Sequence, residues 1–185
     1  MILKLFIGCS SKLDTKISLE NSKSLIYELA KIPGVDLVYG AFNQGLTKEC
    51  YEAFRHEGKS ITGVMTEFHK KETGYHDLFD KEIVVATTTE RFEQIYKHCN
   101  ILLILPGGLG TYAELFSAIE EKKIQNGKKI IIYNDQYFYT PIIKELYELH
   151  QKGFIDEVPS DYMIIESDKD KIVRIMKEEM EKWKN

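Results

Sequence analysis

Long apolar runs are missing from this 185-residue chain. A bilayer-crossing helix needs about 20 consecutive apolar residues, and no stretch approaches that, so no membrane partner is expected. The N-terminal MILKLFIGCS has no basic flank and no clear small-residue cleavage site; it reads as a first strand rather than a leader. An excess of basic charge is missing too. Lys and Arg number 25 against 29 Asp and Glu, a formal net charge of -4. With no basic stripe, nucleic acid is not an expected partner. Lys122, Lys123, Lys128 and Lys129 read as a solvated helix end and strand start. Cysteine is scarce. Cys9, Cys50 and Cys99 lack metal-ligand spacing and suit buried or free thiols in a reducing cytoplasm. No histidine neighbours Cys9 in sequence, so a reactive thiol there is not favoured. Walker-type, HExxH and CxxC patterns are all absent, and neither a metal nor an organic cofactor is expected. The five histidines are scattered; His69 and His76 share one stretch and read as solvated loop residues.

What remains is an alternation of short apolar runs with helical stretches. Strands are expected at 2–9, 35–39, 60–65, 82–86, 101–105, 129–133 and 162–165. Helices are expected at 18–30, 46–56, 88–99, 111–125, 141–152 and 169–183, with a long loop at 66–80. Leu25 with Leu29, and Ile172 with Ile175 and Met176, stand at helical core spacing. Asp135 and Thr140-Pro141 read as loop and helix-start signals. Such alternation predicts one α/β domain over residues 1–185. It would be a Rossmann-like three-layer sandwich with a mainly parallel sheet of about six or seven strands.

The richest stretch is Ile101–Glu114, ILLILPGGLGTYAE. A run without polar alternation reads as a strand buried on both faces. Gly107, Gly108 and Gly110 follow at once, with Leu109 and Thr111. They let the backbone turn sharply and approach a ligand closely. The next helix aims its free N–H groups and positive dipole end at that turn, which suits a phosphate. In a parallel sheet, ligands lie outside the carboxyl ends of the strands. That rule gathers Gly8 and Ser10, the Gly40–Gly45 segment, residues 66–80 and the 106–111 turn on one edge.

Arg91 precedes the buried strand and Glu114 follows it. A guanidinium can orient an anionic or hydroxyl-rich substrate, and a carboxylate beside a sugar can stabilise an oxocarbenium-like charge or activate water. From spacing alone, Arg91 with Glu90 and Glu93 also fits a solvated helix face. Gly108-Leu-Gly110-Thr-Tyr-Ala113 matches the dinucleotide pattern G-x-G-x-x-A, with Asp135 as an acidic residue after the next strand. It follows the fifth strand, however, rather than opening the first βαβ unit.

Residues 106–114, PGGLGTYAE, resemble the PGGxGTxxE signature of the Lonely Guy (LOG) family of nucleoside 5′-monophosphate phosphoribohydrolases. Members are often labelled lysine decarboxylases, but no lysine here is set apart for pyridoxal phosphate. Gly8-Cys9-Ser10 is similar to the family's N-terminal GSS, and Val38-Tyr39-Gly40 with Gly45-Leu46 to its VYGGGxxGLM loop. Glu90-Arg91 falls on its MHxRK motif, and Gly153-Phe154-Ile155 on its late GFI stretch. The resemblance implies phosphate binding by the turn, catalysis by Arg91 and Glu114, and a homodimer with the site near its interface. The helix stripe Tyr112, Phe116 and Ile119 fits either that interface or the core. Departures are Ala41 and Phe42 for two glycines, Thr88 and Thr89 for Met-His, Phe92 for a lysine, and Ala113 for a first glutamate. Glu72 aligns loosely with a loop glutamate of some members. The expected activity is release of free base and ribose 5-phosphate from AMP or a cytokinin-type ribotide. Two alternatives stand: a non-catalytic nucleotide-binding or signalling module, and a dinucleotide-dependent oxidoreductase.

Overall fold

A computed structural model describes residues 2–12, 14–73, 79–125 and 128–184. Seven strands form one parallel sheet: β1 Leu3–Gly8, β2 Val35–Tyr39, β3 Ile61–Thr66, β4 Lys81–Val85, β5 Ile101–Ile104, β6 Lys129–Tyr133 and β7 Ile164–Glu166. Their spatial order is β4-β3-β2-β1-β5-β6-β7. The chain winds outward from β1 through β4, then crosses back to lay β5 against the other side of β1. That reversal between β1 and β5 is the topological switch point, where a crevice opens beyond the strand ends.

The helices are α1 Glu20–Ala30, α2 Gly45–His56, α3 Glu67–Thr73, α4 Thr88–His98, α5 Leu109–Gln125, α6 Thr140–Gln151, α7 Pro159–Tyr162 and α8 Lys169–Lys184. Strand alternation divides the apolar side chains into two cores. Leu3, Leu5 and Ile7 pack with Leu25 of α1, Phe54 of α2 and Met176 of α8. Phe6, Leu102 and Ile104 face the other way, against Ile95 of α4, Leu115 of α5 and Leu146 of α6. Ile101–Ile104 is buried throughout, as expected of a strand covered on both faces. Its register against β1 is secured from outside the ladder: the backbone N–H of Lys4 donates to Asn100 Oδ1 at 2.7 Å.

Three local expectations change. The stretch after β3 is not all loop, because Thr66 Oγ1 accepts from the His69 N–H at 3.2 Å and starts α3. Tyr162 ends the short helix α7 rather than opening a strand, and β7 begins at Ile164. Lys128 is not a solvated strand start: its ammonium binds the Tyr96 and Cys99 carbonyls at the end of α4, and burial lowers its pKa. His76 lies outside the described residues, as does the side chain of Glu72.

Candidate active site

The loop after β1 is the knot of the site. The Ser10 N–H donates to Pro106 O at 3.1 Å, and Ser10 O accepts from the Leu46 N–H at 2.9 Å. Three strand-end loops thus meet at one residue. Gly45 must be glycine twice over: its φ is +55°, and a Cβ would stand 2.7 Å from Lys12 O. Thr111 Oγ1 donates to Cys9 O at 3.2 Å, tying the 106–111 turn back to β1. Gly107 makes room for that hydroxyl, since a Cβ there would lie 2.1 Å from Thr111 Oγ1. Thr111 and Gly107 therefore shape the turn.

Gly108 differs. Its φ lies outside the left-handed region, and a Cβ would meet no protein atom within 4 Å. Gly110 shares both properties. Neither the backbone nor packing demands glycine at these two positions. Close approach of a ligand would. Gly108 O accepts from the Tyr112 N–H at 3.0 Å, so α5 starts at Leu109 with its first N–H groups and dipole end turned to the crevice.

Arg91 and Glu114, set apart by 23 residues, come together. Arg91 Nη2 lies 3.2 Å from Glu114 Oε1, with side chains only 6% and 10% exposed. Thr87 caps α4 by accepting from the Glu90 N–H at 3.2 Å, and Glu90 Oε2 accepts from the Ala86 N–H at 3.0 Å. These bonds set the first turn of α4, which carries Arg91. Its guanidinium then runs beneath the strand ends, with Nε donating to Val64 O at 3.1 Å. Two glycines make room for the pair. A Cβ on Gly40 would stand 2.1 Å from Arg91 Nη2, and one on Gly8 would stand 2.8 Å from Glu114 Oε2. Both are expected to lie along a ligand; Gly40 lines the cavity beside the pair, and each glycine also leaves room for the ion pair. Burial raises the pKa of Glu114, and the charge and hydrogen bond of Arg91 offset this only in part.

This pair lines a cavity of about 340 Å³ that also touches Ser10, Gly108, Leu109, Gly110 and Thr111. Phe42 and His69 line it as well, with ring centroids 4.8 Å apart in an edge-on contact. His69 is therefore a pocket residue, not a solvated loop histidine. Thr66 Oγ1 lies 3.1 Å from its Nδ1. Spacing could not reveal this, because the contact depends on α3 folding back over the sheet edge. Ala41 takes φ +59° while fully buried, a left-handed backbone without glycine, at a cost of about 1–2 kcal/mol.

Cys9 also lines this cavity. Its Sγ lies 3.9 Å from that of Cys50, and all three cysteines are buried and free. The contact with Cys50 and burial hold its thiol well above the ordinary value. Among the described residues no group of three or more His, Cys, Asp or Glu could hold a metal. No helix among them is long and apolar enough to cross a membrane. Asp135, the acidic residue of the dinucleotide pattern, is buried and accepts from Asn21 Nδ2 at 3.1 Å.

A doubly wound parallel sheet, with a glycine turn at its switch point, places the chain among the Rossmann-like α/β proteins. Within that class it belongs to the LOG family, whose model, described as "Possible lysine decarboxylase", matches residues 47–176. A cytokinin riboside 5′-monophosphate phosphoribohydrolase of Arabidopsis thaliana is 24% identical over 155 residues, covering 82% of this chain and 72% of the relative. One from Rhodococcoides fascians is 26% identical over 132 residues, covering 70% and 66%. Among solved structures, the molybdenum cofactor carrier protein of Chlamydomonas reinhardtii superposes with a TM-score of 0.69 at 19% identity, over 98% of this chain and 99% of that one. At that identity the likeness is one of fold.

Proposed function

We propose that this protein hydrolyses the N-glycosidic bond of a nucleoside 5′-monophosphate, releasing the free base and ribose 5-phosphate. The observation that carries the reading is the buried Arg91–Glu114 pair on the floor of the cavity that the glycine turn closes. The 5′-phosphate sits at the N-terminus of α5, where N–H groups and the helix dipole favour an anion. The sugar then lies over the pair. As the bond from C1′ to the base nitrogen breaks, positive charge spreads over C1′ and the ring oxygen. The Glu114 carboxylate opposes that charge or takes a proton from the attacking water. Water oxygen bonds to C1′, and the base leaves with its nitrogen protonated. A carboxyl group held above its usual range by burial is suited to exchanging a proton. Arg91 fixes the carboxylate and orients the sugar.

The named activity of the relatives supports this reaction class. Phe42, Thr88 and Phe92 line the pocket where the family has other residues, which favours AMP over an isoprenoid-bearing base. We further place the protein in the cytoplasm as a homodimer. A groove of about 480 Å³ between α4 and α5 is lined by Phe92, Tyr96 and Phe116 and reaches Glu114. Ile119 of the α5 stripe is core, while Phe116 stays 40% exposed. A two-fold contact through this groove would bring the partner close to the site.

The test is release of ribose 5-phosphate from AMP by the wild type and by Glu114→Gln. Turnover should fall by about a hundredfold or more, with a smaller change in AMP affinity. Near-normal turnover would remove Glu114 from the chemistry. A second reading, nucleotide binding without hydrolysis, draws on the strained Ala41 backbone and the Phe42 ring in the pocket. AMP binding without any ribose 5-phosphate release by the wild type would favour it.

A further inference from the structure

We infer that the site takes a nucleotide extended beyond its 5′-phosphate: a nucleoside 5′-diphosphate derivative, whose second phosphate and terminal organic group occupy a separate lobe across the glycine turn. This rests on the reading of the first cavity as a nucleotide site. On the far side of the turn a second cavity of about 360 Å³ opens, close in size to the first. Ser10, Lys12 and Gly108 line both. The anion cradle at the start of α5 is therefore the seam between two lobes rather than the end of one. Gly108, where neither backbone nor packing requires glycine, stands at that seam.

The two lobes differ in chemistry. Arg91 and Glu114 line only the first, so the glycosidic bond belongs there. The second is walled by Ile17, Leu19, Pro106 and Phe138; among the described residues its charged lining is Lys12 and Lys16, with no carboxylate. Lys12 at the seam and Lys16 within the second lobe suit a second phosphate. Apolar walls and an aromatic ring beyond them suit a flat or apolar terminal group. A monophosphate would leave this lobe to water.

The wall of the second lobe is held at a backbone cost. Gln136 and Tyr137, just before Phe138, take φ of +50° and +60°. Two consecutive left-handed residues without glycine cost about 1–3 kcal/mol each, and such strain gathers at ligand clamps. Gln136 Nε2 donates to Ser18 O at 2.7 Å, tying this turn to the segment that carries Lys16, Ile17 and Leu19.

The experiment is calorimetric titration of the full chain with AMP, ADP and NADH, the last being an adenosine diphosphate with a ribosyl-nicotinamide terminal group. Affinity should rise from AMP to ADP and again to NADH, by about tenfold or more overall. Ile17→Trp, which fills the second lobe without altering charge, should abolish the gain and leave AMP within about twofold. Lys16→Ala should remove most of the AMP-to-ADP step, and it keeps the test open if the tryptophan variant does not fold. NADH binding no tighter than AMP, or either variant weakening AMP and NADH alike, would overturn the extended site while leaving a monophosphate site in place. A wild type that binds none of the three would remove both readings.

Discussion

Gly40→Ala adds one methyl group at the point where the structure has least room for it. The new Cβ would stand 2.1 Å from Arg91 Nη2. Van der Waals contact needs about 3.5 Å, so the guanidinium must retreat by roughly 1.4 Å. Arg91 holds Val64 O through Nε at 3.1 Å and Glu114 Oε1 through Nη2 at 3.2 Å; the Glu114 bond, made by the displaced nitrogen itself, takes the brunt of such a shift. Gly40 is not left-handed, so alanine brings no backbone penalty of its own and the effect is steric. Overpacking costs about 1–3 kcal/mol, and a weakened hydrogen bond to a charged group up to about 1.5–3 kcal/mol more. We expect a loss of about 2–4 kcal/mol by urea unfolding. Hydrolysis of AMP should fall about a hundredfold, since a misplacement near 1 Å is worth that much. A double-mutant cycle isolates the cause. In an Arg91→Ala background the clash is gone, and Gly40→Ala should then cost less than about 0.5 kcal/mol. An equal cost in both backgrounds would refute the idea that Gly40 is glycine for the sake of Arg91.

Gly108→Val should fold normally, because its Cβ meets no protein atom, yet weaken AMP or ribose 5-phosphate by more than about 1.4 kcal/mol, a factor of ten; unchanged affinity would take the turn out of the site. The raised pKa of Glu114 has a signed consequence: the folded chain keeps a proton that the unfolded chain has lost, so this residue's contribution to stability falls as pH rises from the ordinary glutamate value to the raised one. Urea midpoints of wild type and Glu114→Gln, followed from about pH 4 to about pH 7, should show that slope only in the wild type; parallel curves would contradict it. Phe116→Glu should turn a dimer into a monomer by sedimentation at micromolar concentration, and a wild type already monomeric and fully active would refute the dimer.

All seven strands and six of the helices were legible from apolar runs and helical spacing, because a parallel sheet buried on both faces writes its period directly into residues such as Ile101–Ile104. The glycine turn was legible for the same local reason, since strand, turn and helix start are consecutive. Residues 67–73 read as loop from sequence alone, because that short polar helix depends on the Thr66 cap. Tyr162 reads as strand because an aromatic residue beside Met163, Ile164 and Ile165 continues an apolar run; Pro159 instead starts a helical turn there.

The sequence by itself determined the α/β class, the position of the anion turn and the candidacy of Arg91 and Glu114. These are properties of short segments, where side-chain period, glycine and helix polarity act between near neighbours. Only the tertiary structure decided what those residues face. The order β4-β3-β2-β1-β5-β6-β7 places the switch point beside Gly8 and Pro106. It brings Gly40 within a methyl group of a guanidinium 51 positions later in the chain. It also brings His69 against Phe42 and opens a second lobe behind the turn. Contacts of this kind join residues far apart along the chain, and they exist only once the strands have taken their places in the sheet.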